Sequence, residues 1–376
     1  MIKRRVFIRA THLAAILSVF SPVAGVFAAN AATKNVAYKV RKVSNLAIGS
    51  VIAAPSIEPS LLVTSLLQNH YLPLVDLFET NCQRLVSSLA NPRSPWAAHR
   101  APWVQTMLTW EALNAVAVGP LLERRSARAI DFWPTRPAQI EVILAKGVDT
   151  ISALSDMSLV GSTAKGLPAL EWLLYQTNGH VSSKAYAIVL ARQLIAEAQA
   201  IKSGFNTLLA NALANAKSQD EDAQSKAWTQ YGEWFGQAAG GLEQLSRKKL
   251  ALTLKNKKPS AWPRGYSAQT AASFKAQWLG IESFLIGTKA LASKTLGLPA
   301  PGSLDSLLLG RGHLDQSAVL HDLCHTVAAR LIKLDIRQTN QVEAALKTID
   351  ELKISLGKIA ADNLQISAGF TDADGD

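Results

Sequence analysis

An all-α fold of two antiparallel four-helix-bundle-like halves is what this sequence predicts. Three observations carry it. Apolar residues beyond position 56 recur at helical spacing, alternating strand patterns are almost missing, and Gly, Pro and Asn punctuate the runs at short intervals. Eight or more such helices exceed one four-helix bundle, and helices joined by short loops pack antiparallel. The predicted organisation is an export segment over 1–31, an N-terminal extension over 32–55, a first bundle over 56–205 and a second over 206–376.

The elements follow in order. Pro102 opens a run in which Trp103, Met107, Trp110 and Leu113 fall at helical spacing, and Gly119-Pro120 closes it. Thr135 ahead of Pro137 predicts the cap and first turn of a helix reaching Lys146, with Gly147 as its stop. Leu167-Pro168 starts a helix through Leu173 and Leu174 that ends near Asn178-Gly179. Ser183 to about Lys217 is a long Ala/Leu-rich helical stretch with Gly204 as a bend point. A further helix carries Trp228, Tyr231 and Phe235 and ends before Gly240-Gly241. Ser267 to Ile286, Gln316 to Leu334 and Gln341 to Leu356 complete the set, and the nine Trp read as core and interface residues. A short internal echo supports the division into halves. Leu170-Glu171-Trp172-Leu173-Leu174 and Ile281-Glu282-Ser283-Phe284-Leu285 each set one carboxylate in an apolar helix.

Composition bounds the function. The chain has 376 residues, 48% of them apolar and 18% charged, which excludes intrinsic disorder. Two Cys exclude a disulfide scaffold and Cys-rich metal modules. The first residues read as an address: Lys3, Arg4, Arg5 and Arg9 precede an apolar stretch from Leu13 to Phe20, and Ala28 to Ala31 offer cleavage sites. Lys3-Arg4-Arg5-Val6-Phe7-Ile8-Arg9 also fits the twin-arginine pattern, with an ordinary Sec signal as the other reading. The apolar stretch is too short to span a bilayer, so the mature form is expected in the periplasm without a transmembrane helix. Removing four basic residues takes the net charge from +11 to +7, and an exported protein meets little nucleic acid. Arg247-Lys248-Lys249 with Lys255, Lys257 and Lys258 then reads as a solvated helix end and loop, or as a contact for anionic lipid. Cys82 and Cys324 would enter an oxidising compartment, and their spacing leaves pairing open.

Two sets of residues could carry chemistry. Glu111 follows Trp110 in a run with little other charge, so it needs a cationic partner or a cavity. Arg124, Arg125, Arg128 and Arg136 are the nearby candidates. Glu111, Glu171 and Glu282 converging from both halves would line a cleft suited to a hard cation such as ferric iron. The second set is His321-Asp322-Leu323-Cys324-His325, two imidazoles four apart on a helix, with His313 as a possible third zinc ligand. The bland reading is of structural or solvent-facing histidines. Asp in place of the Glu of H-E-x-x-H draws a general base back from metal-bound water.

Four stretches carry a family resemblance. Trp110-Glu111 leads through Gly119-Pro120 to Arg124-Arg125, and Asp131-Phe132-Trp133-Pro134-x-Arg136-Pro137 follows. The third is Gly166-Leu167-Pro168-Ala169-Leu170-Glu171-Trp172, and the last is the tail from Gly369 to Asp376. Together they resemble the imelysin-like proteins of the bacterial periplasm and outer membrane. The resemblance implies an exported two-bundle protein associated with iron uptake, in a family first described as a metallopeptidase. Its signature is G-x-H-x-x-E, and here the match is Gly166-x-Pro168-x-x-Glu171. Pro offers no lone pair, so half the metal pair is gone, while its ring suits a first helical turn. Glu171 one turn in would be favoured as the anion by the helix dipole. No catalytic residue is therefore assigned. The expected function is recognition of iron or an iron-containing species in a cleft between the bundles, without peptidase activity. The alternatives are a zinc metallopeptidase built on His321 and His325, and an adaptor for an envelope protein.

Overall fold

The computed structural model describes residues 58–217, 220–287 and 301–361. The export segment over 1–31, the extension over 32–55 and the tail from Gly369 lie outside them. Helices fill the described residues and no strand occurs among them. We number the principal helices α1 (Pro59–Leu66), α2 (Leu72–Ala90), α3 (Arg100–Leu113), α4 (Pro137–Leu144), α5 (Gly166–Gln176), α6 (Val181–Lys217), α7 (Glu221–Glu243), α8 (Thr270–Ile286), α9 (Leu304–Gly310), α10 (Leu314–Ile332) and α11 (Thr339–Ile359).

The helices pack in two groups. α2, α3, α5 and α6 pack on one another, and α7, α8, α10 and α11 form the second group. The main contact between them is α3 against α8. Both helices are apolar nearly all round, which is the signature of a helix buried on every side. Trp103, Met107, Trp110 and Leu113 are buried from α3, and Phe274, Trp278, Ile281 and Phe284 from α8. The backbones approach unusually closely at this seam. A Cβ on Gly280 of α8 would lie 2.1 Å from the Ala112 carbonyl oxygen, and one on Gly241 of α7 would lie 2.1 Å from that of Ala115. Two polar links reinforce it from a π-helical turn between α1 and α2. There His70 Nδ1 bonds Ser283 Oγ at 3.0 Å and Tyr71 donates to the Val116 carbonyl at 3.2 Å.

Three boundaries differ from expectation. Gly240-Gly241 does not end α7, which runs on to Glu243, because the small residues serve the seam and not a stop. The cap of α4 is Arg136, while Thr135 Oγ1 donates to the Thr163 carbonyl at 2.7 Å. α6 passes through Gly204 and residue 205 without interruption, and the chain enters the second group at Glu221. Cys82 and Cys324 are both buried and unpaired.

Candidate functional site

Glu111 is carried into the interior by α3, where only 5% of it remains exposed. A carboxylate this deep needs compensating charge, and it has two sources. Lys249 Nζ lies 2.6 Å from Oε2, and the Arg264 guanidinium reaches Oε1 through NH2 at 3.0 Å and Nε at 3.3 Å. The same NH2 lies 2.5 Å from Asp131 Oδ2, an oxygen that also accepts from Trp110 Nε1 at 3.1 Å. Arg264 is 2% exposed.

The loop between α7 and α8 is built to present that guanidinium. Arg264 has φ of 60°, a left-handed conformation uncommon for a residue with a side chain. Hydrogen bonds within the loop hold it there. Gly265 N–H donates to the Trp262 carbonyl at 2.9 Å, Ser267 Oγ to the Arg264 carbonyl at 3.1 Å, and Thr270 Oγ1 to the Pro263 carbonyl at 2.7 Å.

Glu171 meets the same loop from α5. Gly166 begins that helix at φ of 73°, and a Cβ there would stand 2.2 Å from the Ile130 carbonyl oxygen, so no side chain fits. Pro168 is buried in the first turn, where its missing N–H costs nothing. Glu171 Oε1 accepts from Ser267 N–H at 2.8 Å and from Ser267 Oγ at 2.7 Å. The side chain is 2% exposed, and burial here overrides the preference for the anion that the helix dipole supplies. Burial pushes its carboxyl up against the pull of Arg264 and the Ser267 bonds. For Glu111 burial acts in the same sense, but Lys249 and Arg264 outweigh it and hold the carboxyl below its ordinary value. Burial raises Asp131 further than Arg264 lowers it, and the Glu111 charge adds to the rise. Three carboxylates thus face two cations across the seam.

The structure therefore brings Glu111 and Glu171 together on one loop, and sets the other candidates elsewhere. Arg124 forms a two-pronged pair with Glu197, through Nε at 3.0 Å and NH2 at 2.8 Å, and Arg125 lies on an exposed left-handed turn. Neither is the Glu111 partner. Glu282 acts on His321 and Cys324. His321 Nε2 bonds Asp305 Oδ2 at 2.8 Å, its ring centre lies 5.9 Å from that of His325, and His313 caps the start of α10. Eight residues of helix put His313 about 12 Å down the axis from His321, too far for a shared ion. Lys249, expected in a solvated basic run, is instead an ion-pair partner with 20% side-chain exposure. Arg264, Ser267 and Asp131 were not singled out from sequence as site residues. The available signal was Trp262-Pro263-Arg264, which echoes Trp133-Pro134-x-Arg136 of the first half.

These residues do not fit a metal at the motif. Pro168 supplies no donor atom, one Glu171 oxygen is engaged by Ser267, and Glu111 is flanked by two positive charges that would repel a cation. Among the described residues, no group of three or more His, Cys, Asp or Glu side chains is placed to hold a metal ion. Nor is any described helix long and apolar enough to cross a membrane.

A family model described as imelysin (peptidase M75) matches residues 76–376. Among solved structures, an imelysin-like protein from Psychrobacter arcticum 273-4 superposes with a TM-score of 0.67 at 16% identity, covering 85% of this chain and 100% of that one. A protein described as an iron-regulated protein A precursor from Parabacteroides distasonis ATCC 8503 gives 0.67 at 13% identity, covering 82% and 96%. At those identities the likeness is one of fold. No curated protein matches the chain.

Proposed function

The chain belongs to the imelysin family, and from that premise we propose that it is an exported, non-hydrolytic member linked to iron, whose motif carboxylates fasten the two helix groups together. The observation that carries this reading is the occupancy of the motif. Glu171 is spent on the backbone and hydroxyl of Ser267, and Glu111 on Arg264 and Lys249. Hydrolysis by a zinc centre needs three protein ligands and an open position for water, and Pro168 with two engaged carboxylates provides neither. Export is supported by the basic, apolar and small-residue order of the first 31 residues. The iron link is supported by the name of the Parabacteroides neighbour. Iron or an iron-bearing species is then recognised outside the Glu111–Glu171 pair, at the rim between the helix groups or on a bundle face.

The test is an assay of purified chain, with and without zinc, on a denatured protein substrate, beside calorimetry with ferric citrate. The reading expects no chelator-sensitive cleavage and equal ferric citrate binding by the natural chain and Glu171→Gln. Cleavage that disappears both with chelator and in Glu171→Gln would overturn it.

A further inference from the structure

We propose that His321 and His325 of α10 form a docking site for one borderline divalent transition ion (Zn2+, Cu2+ or Ni2+), with Asp305 as the buried carboxylate that positions His321. The site lies apart from the motif carboxylates and does not depend on whether the chain cleaves peptides.

Asp305 is the first observation. It sits in the first turn of α9 and is 1% exposed, yet it is a carboxylate. Both of its oxygens are directed to α10, where Ser317 Oγ donates to Oδ1 and His321 Nε2 bonds Oδ2 at 2.8 Å. Ser317 and His321 are one helical turn apart, so the carboxylate is gripped by one face of α10 and cannot swing. An imidazole that donates Nε2–H to a fixed carboxylate keeps the tautomer whose Nδ1 lone pair is a metal ligand. That pairing is the usual outer support of a metal-bound histidine.

Ring geometry is the second. His325 lies one further turn along, with ring centres 5.9 Å apart and planes inclined at 63°. Two imidazoles sharing one ion at metal–nitrogen distances of about 2.0–2.1 Å have ring centres roughly 5–6 Å apart. The observed spacing lies within that span. His325 is exposed and the His321 side chain is 37% accessible, so an ion reaches the pair from solvent. The bond to Asp305 raises the His321 imidazole, with the charges of Asp322 and Glu282 adding to the rise, so an ion that binds there displaces the Nδ1 proton.

The remaining coordination positions belong to water or to a partner's side chain. Cys324 lies between the histidines in sequence but is buried, and burial raises its thiol well above the ordinary range, so it is not a thiolate ligand. His313 is out of reach as described. Borderline ions prefer imidazole nitrogen, whereas a hard ion such as Ca2+ or Mg2+ does not.

The experiment uses the whole chain without a histidine tag, titrated with Cu2+ and followed by calorimetry and pulsed electron paramagnetic resonance. The expected result is one Cu2+ per chain, with two imidazole nitrogens coupled to the electron spin. His325→Ala, a substitution at an exposed position whose fold is checked by circular dichroism, removes one of those couplings and weakens binding at least tenfold. Asp305→Asn weakens it about 10- to 100-fold, and circular dichroism at the same temperature verifies that this variant is folded. Two outcomes overturn the proposal: no stoichiometric Cu2+, or Cu2+ bound equally well by His321→Ala and His325→Ala.

Discussion

Arg264 NH2 lies 3.0 Å from Glu111 Oε1, joining residues 153 positions apart across the seam between the helix groups. Both partners are almost fully buried, and Asp131 shares the same guanidinium nitrogen. Such a charge array is costly to bury and strongly destabilising to break, because removing one partner strands the other. In this docking the α7–α8 loop meets Glu111 and Asp131 through Arg264 and Glu171 through Ser267.

Charge alone should not replace the Arg264 fork. Arg264→Lys retains the positive charge but cannot serve Glu111 and Asp131 with one planar group. We expect a loss of about 1.5–3 kcal/mol, the worth of a hydrogen bond to a charged partner, read from urea unfolding at constant slope. A loss under about 0.5 kcal/mol, typical of an ordinary surface change, would mean that the fork geometry contributes nothing.

Glu171 gives the seam a pH dependence of defined sign. Its folded carboxyl is raised above the ordinary 4.5 by burial, so the folded chain holds that proton more tightly than the unfolded one. The stability it contributes is complete below the ordinary value and is lost as pH rises through the raised one. Glu111 is lowered and runs the other way, its contribution present above 4.5 and lost as pH falls. Replacing Glu171 by Gln keeps an acceptor for Ser267 and removes only the first effect. The stability advantage of Glu171→Gln over the natural chain should therefore grow between about pH 4 and pH 7. Denaturation series at four pH values measure it, and a flat or shrinking difference counts against the assignment.

Restoring the family's histidine should not restore a metal centre. Pro168→His recreates G-x-H-x-x-E, but residue 168 is buried and Glu171 remains held by Ser267. Metal analysis after zinc dialysis should find no zinc beyond that bound by the parent chain. One additional tightly held zinc per chain would show that the motif carboxylate is free to ligate.

Much of this was legible in the residues, and the remainder was not for a physical reason. Helical period and Gly/Pro punctuation located α3, α5, α10 and α11 to within a few residues, because those signals are local. Gly240-Gly241 misled: the glycines answer to the Ala115 carbonyl on another helix, which no local pattern encodes. That Glu111 needed a cation was plain from its apolar surroundings. Which cation was not, since Arg264 and Lys249 lie more than a hundred residues away while Arg124 is close in sequence and bonds Glu197. Solvation of Lys249 was misjudged for the same reason. Asp305, the orienter of His321, carries no local signal, because its partners Ser317 and His321 lie on the next helix.

The most direct test compares Glu111→Gln and Glu171→Gln at neutral pH, measuring unfolding free energy and ferric citrate affinity on the same samples. If these carboxylates fasten the fold, Glu111→Gln loses about 3–5 kcal/mol by depriving Lys249 of its carboxylate and leaving Arg264 to Asp131 alone, Glu171→Gln matches or exceeds the parent because it keeps an acceptor for Ser267, and affinity per folded chain is unchanged in both. Two variants as stable as the parent, each with weakened iron binding, would instead make Glu111 and Glu171 ligands and contradict the account.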